Sequence, residues 1–466
     1  MTLLTTRGIT TADPATGREL ATYPAQGLGE ISDAIAACNR AQADWARVDV
    51  ATRSAMISTL ADLLRREVQE HAALISSEMG KPITEARAEV LKCAAAADYY
   101  AENTPAFLAA KPVDTGDSRS FVAYEPIGLV FAVMPWNYPY WQVIRFAAPA
   151  LAAGNGALLK HASNVTGAAL AISSLFKRAG FPEHLFTTLL LGDHSLVESV
   201  IADDRVAAVT LTGSERAGTS VAVSAGRALK KTVLELGGSD PFVVLDDVDV
   251  AQVVPLAVKA RFGNTGQSCL CAKRFILHEA IHDEFARQAT AAVKDLVIGS
   301  PGDARTQIGP LAKASFVDDI DEQVQESIAM GARLLAGGHR LEGPGNYYAP
   351  TVLADVTPQM PVFRQETFGP VMALVRAVDD AHALELANDT AYGLASSVWS
   401  ADEDRALRLG GAIASGALFI NKVPASDPRL PFGGVKLSGY GRELSIEGIH
   451  EFTNTRTISI GGPSPR

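Results

Sequence analysis

The segment Val206-Ala-Ala-Val-Thr-Leu-Thr-Gly-Ser-Glu-Arg-Ala-Gly218 decides how this chain folds. Its first seven residues, Val206 to Thr212, are apolar or β-branched and read as a buried strand; Gly213-Ser214 reads as a turn, and Glu215 to Leu229 as a helix. A strand that passes through a glycine turn into a helix begins a crossover onto a parallel sheet. The turn also presents N–H groups and the positive end of a helix dipole at Gly213 and Ser214, where a pyrophosphate fits. The G-x-G-x-x-G fingerprint is absent, so by itself this segment is a weak cofactor signal.

The same rhythm extends in both directions. Upstream, Ile127–Val133 and Gly156–Leu159 are strand-like and Thr166–Arg178 helix-like; downstream, Phe242–Leu245 is another strand. A second alternation follows Gly237-Gly238: helix Val250–Phe262, strand Arg274–His278, then helices Asp283–Leu296 and Ala314–Met330. Residues 30 to 108 are mostly helical, with Ile31–Val48 and Arg53–Ser77 as helices and a stop at Gly80 and Pro82. Gly337–Pro350 and Pro428–Gly441 read as loops, the latter rich enough in glycine to run its backbone close to a site. The fold class is α/β.

Composition narrows the function. With 466 residues and 47% hydrophobic content the chain exceeds one ordinary domain. Its 41 Lys and Arg against 52 Asp and Glu leave a net charge of −11, which argues against a nucleic-acid surface and for a small-molecule substrate. The N-terminus lacks a secretory signal pattern, and no apolar run reaches the roughly 18 residues of a membrane span. Four cysteines in so long a chain make no disulfide framework, so a cytoplasmic location is expected.

Three residues stand out for chemistry. Cys269, in Asn264-Thr-Gly-Gln-Ser-Cys-Leu-Cys, sits between a Gly/Gln turn and a strand, where a thiol projects into a cleft; an electropositive setting would favour the reactive thiolate. Glu235 ends an apolar strand at Leu234-Glu-Leu-Gly-Gly, and half-burial would raise its pKa toward that of a general base. Asn137, in Pro135-Trp-Asn-Tyr-Pro, offers a rigidly held amide for an oxyanion. Alone, each has a bland reading as a buried thiol, a surface acid or a turn cap. Lys160, closing a strand, offers a donor to ribose or phosphate. The string His278-Glu-Ala-Ile-His282 matches a zinc-protease pattern but places its first histidine on a strand, so no metal site is expected.

With these pieces in order, the chain resembles the aldehyde dehydrogenase superfamily from about residue 10 to 455, through PWNYP around Asn137, LLKHAS from Leu158, TGSERAG from Thr212, LELGGSDP from Leu234, NTGQSCLCA from Asn264, ETFGPV from Glu366 and PFGGVKLSGYGRE from Pro431. The resemblance implies Cys269 as nucleophile, Glu235 as general base, and Asn137 with the Cys269 amide as oxyanion hole. Thiolate attack would give a thiohemiacetal, hydride transfer to a nicotinamide would give a thioester, and hydrolysis would give an acid. The cofactor would lie along Trp136, Lys160, His161, Ala162, Ser163, Gly213, Ser214, Leu236, Glu366 and Phe368. The implied division is a Rossmann-like cofactor-binding domain (1–106 and 127–237), a catalytic domain (238–437), and oligomerisation elements (107–126 and 438–466) that assemble dimers or tetramers.

Within the superfamily the sequence is most similar to bacterial succinate-semialdehyde dehydrogenases. That likeness implies that Arg145 and Ser426 hold a substrate carboxylate, Arg through a bidentate clamp. It departs at Gly263, where some members carry a second Arg; Arg261 lies near in sequence. Ser163, where relatives that favour NAD carry Glu, removes a charge that would repel a 2′-phosphate, so NADP is expected ahead of NAD. Cys271 is a candidate redox partner for Cys269 through a strained, reducible disulfide. The competing expectations are an aldehyde dehydrogenase for another aldehyde, a CoA-acylating dehydrogenase, and a non-catalytic redox-sensing protein on the same fold.

Overall fold

The computed structural model describes residues 8–462, so residues 1–7 and 463–466 of the expected first and last segments lie outside the described residues. After a hairpin of Ile9–Ala12 and Glu19–Tyr23, four helices follow: Leu28–Trp45, Val50–Arg66, Val68–Met79 and Ile83–Phe107. The continuous helix expected over Arg53–Ser77 is therefore two. They part at Glu67, which leaves helical geometry (φ −105°, ψ 16°). Its carboxylate accepts from Arg178 at 2.5 and 2.7 Å, tying the junction to helix Thr166–Arg178. Gly80 ends the third helix in the left-handed region (φ 81°), and a side chain there would strike Pro310.

The first large sheet has six strands in the order Gly439–Tyr440, Lys231–Glu235, Val206–Thr212, Leu129–Met134, Gly156–His161, Phe186–Thr188. All are parallel except Gly439–Tyr440. Helices cover both faces, which is why Leu129, Val130, Phe131 and Ala132 all have 0% exposure and why these strands read as continuous apolar runs. The chain leaves Leu129–Met134 toward one edge and returns to its other side at Val206–Thr212, opening a crevice beyond the carboxyl ends of these two strands.

The second sheet has seven strands: Arg333–Ala336, Thr351–Ala354, Val371–Ala377, Ala272–His278, Asp240–Val244, Ala395–Trp399 and Ala417–Ile420. A third, three-stranded sheet joins Thr453–Ile460 to Arg119–Pro126 and Lys111–Pro112. The helix expected from Asp283 starts a turn earlier, at Glu279, because the His278 ring caps it by accepting from the Ala280 N–H at 3.3 Å. His278 thus stands outside the helix and His282 inside it, unlike a zinc-protease pair. Among the described residues no helix is long and apolar enough to cross a membrane.

Candidate active site

Asn137 follows strand Leu129–Met134, Glu235 ends strand Lys231–Glu235, and Cys269 precedes strand Ala272–His278 of the second sheet. The Cys269 loop meets the carboxyl edge of the first sheet, where Asn137 Nδ2 donates to the Gln267 carbonyl. Its turn is strained: Asn264 and Thr265 adopt φ of 54° and 56°, a region non-glycine residues rarely occupy. Gly266 approaches the Gly369 carbonyl so closely that a Cβ would come within 2.2 Å of it. The turn is held by Glu85, whose carboxylate accepts from the Asn264 N–H at 2.6 Å, and by Gln267, which accepts from Ala312 N–H at 3.0 Å. Asn264 Nδ2 donates to the carbonyls of Asn137 (2.9 Å) and Gln267 (3.0 Å), joining the nucleophile and amide loops. The Asn137 amide is buried and already donates to the Gln267 carbonyl at 3.1 Å. An amide carries two N–H bonds, so one remains for an oxyanion.

Cys269 is partly accessible from a cleft of about 350 Å³ whose lining includes Lys92, Trp141, Arg145, Ser426 and Phe432. Burial pushes its thiol up to about 12, against the opposing pull of Arg145 and Lys273. The electropositive setting expected from sequence exists, but desolvation outweighs it, and the resting group is a thiol. Cys271 is buried, a free thiol like Cys269, with its Sγ 3.7 Å from the Gly263 carbonyl. Glu235 is deeply buried and its Oε1 has no partner; Gly433 faces it, and a Cβ there would come within 2.8 Å. Burial first, then the neighbouring Glu443, hold the Glu235 carboxyl well above the carboxylate range, while Arg145 and Arg442 pull it down.

Arg145 is partnered within the protein. Its Nε pairs with Glu443, both side chains 2% exposed, and its Nη2 donates to Thr212 Oγ1 at 3.2 Å. Arg145 also lines the cleft, so the guanidinium expected to clamp a substrate carboxylate stands there with Glu443 as a fixed partner on its Nε. Arg261 is committed elsewhere: fully buried, it donates to the carbonyls of Val371, Thr367 and Gly369 and serves as a strut for the segment around Glu366. Ser426 does face the cleft, where its Oγ accepts from Lys92 Nζ at 2.7 Å.

The cofactor residues gather around the crevice. Trp136 stacks on Phe316 at 4.9 Å and meets the edge of Phe368 at 5.7 Å. Glu366 accepts from the Gly238 N–H at 3.0 Å and pairs with Lys273 Nζ at 3.1 Å; Lys273 also donates to the carbonyls of Ser268 and Cys269. Leu236 packs on Gly218 so tightly that a Cβ there would lie 2.6 Å from it. Ser214 caps helix Glu215–Arg227 by accepting from Ala217 N–H at 3.4 Å. The Gly213 N–H is taken by the Glu235 carbonyl at 3.0 Å, so donors for a phosphate must come from residues after it. Lys160 is half-buried and held below the usual lysine range by burial and then by Lys313; Ala162 and the exposed Ser163 follow it. His161 departs from its expected part. Its Nε2 donates to the Pro139 carbonyl at 2.9 Å and its Nδ1 accepts from Ala162 N–H at 3.0 Å, so a buried neutral ring, its pKa pushed down to about 4, braces the Asn137 loop. The crevice suits a nicotinamide dinucleotide: a glycine allows close helix–strand packing, a helix N-terminus opens onto it, and a fixed carboxylate and an aromatic wall flank the nucleophile.

Sequence reasoning missed Glu443, Lys92, Lys273, Glu85 and Phe316. Only Glu443 carried a local signal, the GRE run of the last motif.

Comparison with known proteins agrees with this geometry. The chain matches the aldehyde dehydrogenase family over residues 4–458. It is 47% identical over 446 residues to the NAD(P)+ succinate semialdehyde dehydrogenase Sad of Escherichia coli, covering 96% of each chain. It is 47% identical to the NADP(+) succinate-semialdehyde dehydrogenase 1 of Mycobacterium tuberculosis, covering 97% of this chain and 99% of the relative. The solved succinic semialdehyde dehydrogenase of Streptococcus pyogenes, in complex with NADP+, superposes with a TM-score of 0.95 at 37% identity, covering 97% of this chain and all of that one. The family match over residues 4–458, with relatives 47% identical along nearly the whole length, establishes that this chain belongs to the aldehyde dehydrogenase family.

Proposed function

We propose that this chain oxidises succinate semialdehyde to succinate, with NADP+ preferred to NAD+. The observation that carries the reading is the position of Cys269, open to a cleft that bears Ser426 and an ammonium group on one side and adjoining the dinucleotide crevice. The relatives' substrates support the same choice.

Each residue has a chemical task. Cys269 is a thiol at rest, so its proton must pass to solvent through the cleft before sulfur bonds to the aldehyde carbon; Arg145 and Lys273 stabilise the anion so formed. The free N–H of Asn137 and the backbone N–H of Cys269 take the charge that develops on the carbonyl oxygen. The nicotinamide, when bound, supplies the acceptor for the hydride lost from that carbon. Glu235 then takes a proton from the water that attacks the thioester, the C–S bond breaks, and the acid leaves. Burial raises its pKa above the usual carboxylate range, which strengthens it as a base once ionised.

Glu366, Trp136, Phe368 and Leu236 would hold the nicotinamide half of the cofactor and Ser214 the pyrophosphate. Lys160, Ala162 and Ser163 would meet the adenosine ribose, with Lys313 close enough to add positive charge for a 2′-phosphate. The first sheet and its helices (1–106, 127–237) then form the cofactor domain and the second sheet (238–437) the catalytic domain. The third sheet, whose edge strand Thr453–Ile460 has one open side, provides the element for a homodimer or homotetramer. Its free thiols suit a reducing cytoplasm.

Steady-state kinetics with succinate semialdehyde, butanal and both nicotinamide cofactors test this reading. The expected result is a kcat/KM about tenfold or more higher for the semialdehyde than for butanal, and higher with NADP+ than with NAD+. Equal rates for the two aldehydes would reject the substrate.

A further inference from the structure

A substrate with a distal carboxylate needs a cation that no protein anion already neutralises. Around the Cys269 cleft, the positive groups can be matched against their partners. Arg145 is paired with Glu443. Lys81 is paired with Glu89, whose second oxygen accepts from the N–H groups of Tyr140 and Trp141. Arg261 is directed at backbone carbonyls away from the cleft. Lys259 is solvent-exposed.

Lys92 differs from all of these. It lines the cleft, is half-buried, and among the described residues has no carboxylate within ion-pair distance. Its one hydrogen bond goes to the neutral Ser426 hydroxyl at 2.7 Å, and its ammonium lies 4.2 Å from the centre of the Trp141 ring. That placement leaves N–H bonds of the ammonium free, and because Ser426 accepts from Lys92 its own O–H remains free to donate. Two donors this close together on the cleft lining match the two oxygens of one carboxylate.

We propose that Lys92, acting with Ser426, binds the distal carboxylate of the substrate and is a specificity-determining residue of this enzyme. The proposal rests on the semialdehyde reading above and names the charge that reading requires. Arg145 stands beside Lys92 on the same cleft, held by Glu443. Burial and the neighbouring Arg145 hold the Lys92 ammonium down to about 8, which leaves it mostly charged near neutrality, and a bound carboxylate would stabilise that charge.

The test is the ratio of kcat/KM for succinate semialdehyde to that for butanal, measured on the same preparations of wild type, Lys92→Met and Lys92→Arg. Because both substrates are read on one sample, loss of folded enzyme cancels. The expected result is that Lys92→Met lowers the ratio by about tenfold or more, mainly through KM for the semialdehyde, and that Lys92→Arg recovers most of it. A wild type that prefers the semialdehyde, with an unaltered ratio in Lys92→Met, would overturn the role of Lys92 alone. A wild type with no preference would overturn the substrate reading and this proposal with it.

Discussion

Arg145 and Glu443 form an ion pair with both side chains 2% exposed, beside the buried Glu235 carboxyl. Burial raises the Glu235 pKa most; Glu443 raises it further and Arg145 lowers it, so the charge on either partner shifts the pH at which Glu235 can serve as a base.

Replacing Glu443 by Gln tests that coupling. It removes the negative neighbour that raises Glu235 and leaves the Arg145 charge that lowers it, so the Glu235 pKa moves downward. The acidic limb of the kcat/pH profile should shift to lower pH. Arg145 would be left buried without its partner, at a cost of roughly 3–5 kcal/mol, read as a lower apparent melting temperature. An unmoved acidic limb would separate Glu443 from the base.

Glu235→Gln should divide the reaction. Hydride loss precedes hydrolysis, so a burst of reduced cofactor should persist while the steady-state rate falls on the order of 10²- to 10⁴-fold. Since burial pushes the Cys269 thiol up to about 12, the burst in this variant should also quicken as pH rises. Stopped-flow absorbance of the reduced cofactor between neutral and alkaline pH reads both effects. Cys269→Ala should show neither burst nor turnover. A Glu235→Gln enzyme without a burst at any pH would assign Glu235 to the first step as well.

The elements that sequence revealed are those whose signals are local. Val206–Thr212 and the glycine turn after it are a strand and helix start as their residue pattern requires, because a parallel strand covered on both faces must be apolar throughout. The three residues proposed for the chemistry, Cys269, Glu235 and Asn137, stood out because each lies at or next to a strand end inside a distinctive run. The partners of the buried cations were not legible. Lys92 and Ser426 meet from positions 334 residues apart, and Arg145 finds Glu443 from a distant segment. Charge in a sequence suggests solvent, so fully buried Arg261 and Lys273 gave no warning that they hold loop carbonyls. Helix Arg53–Ser77 broke at Glu67 for the same reason: its cause is an ion pair to another helix.

Ser163→Glu tests cofactor choice. The half-buried Lys160, with Lys313 nearby, makes this corner positive, and an added carboxylate would repel a 2′-phosphate while accepting from a 2′-hydroxyl. The kcat/KM with NADP+ should fall by roughly 100-fold, several kcal/mol of repulsion softened by solvent, and that with NAD+ should hold or rise. Equal losses with both cofactors would show that Ser163 supports the local fold and does not discriminate.

Lys273→Met asks what the buried ammonium does for the two halves of the site. Lys273 is fully buried, pairs with Glu366 on the cofactor side, and donates to the Cys269 carbonyl on the nucleophile side. Methionine keeps most of the volume and removes the charge, leaving Glu366 with only the Gly238 N–H at 3.0 Å. A hydrogen bond to a charged group contributes about 1.5–3 kcal/mol, so KM for the cofactor should rise roughly 10- to 100-fold as Glu366 loses its fixed position. The Cys269 thiol also loses one of the two cations that oppose its burial, so the burst rate should fall and depend more steeply on pH. Titration of cofactor binding by fluorescence separates the two effects. Weaker cofactor binding with a slower burst places Lys273 between both halves; unchanged binding with a slower burst confines it to the nucleophile loop, where Glu366 would be held by Gly238 alone.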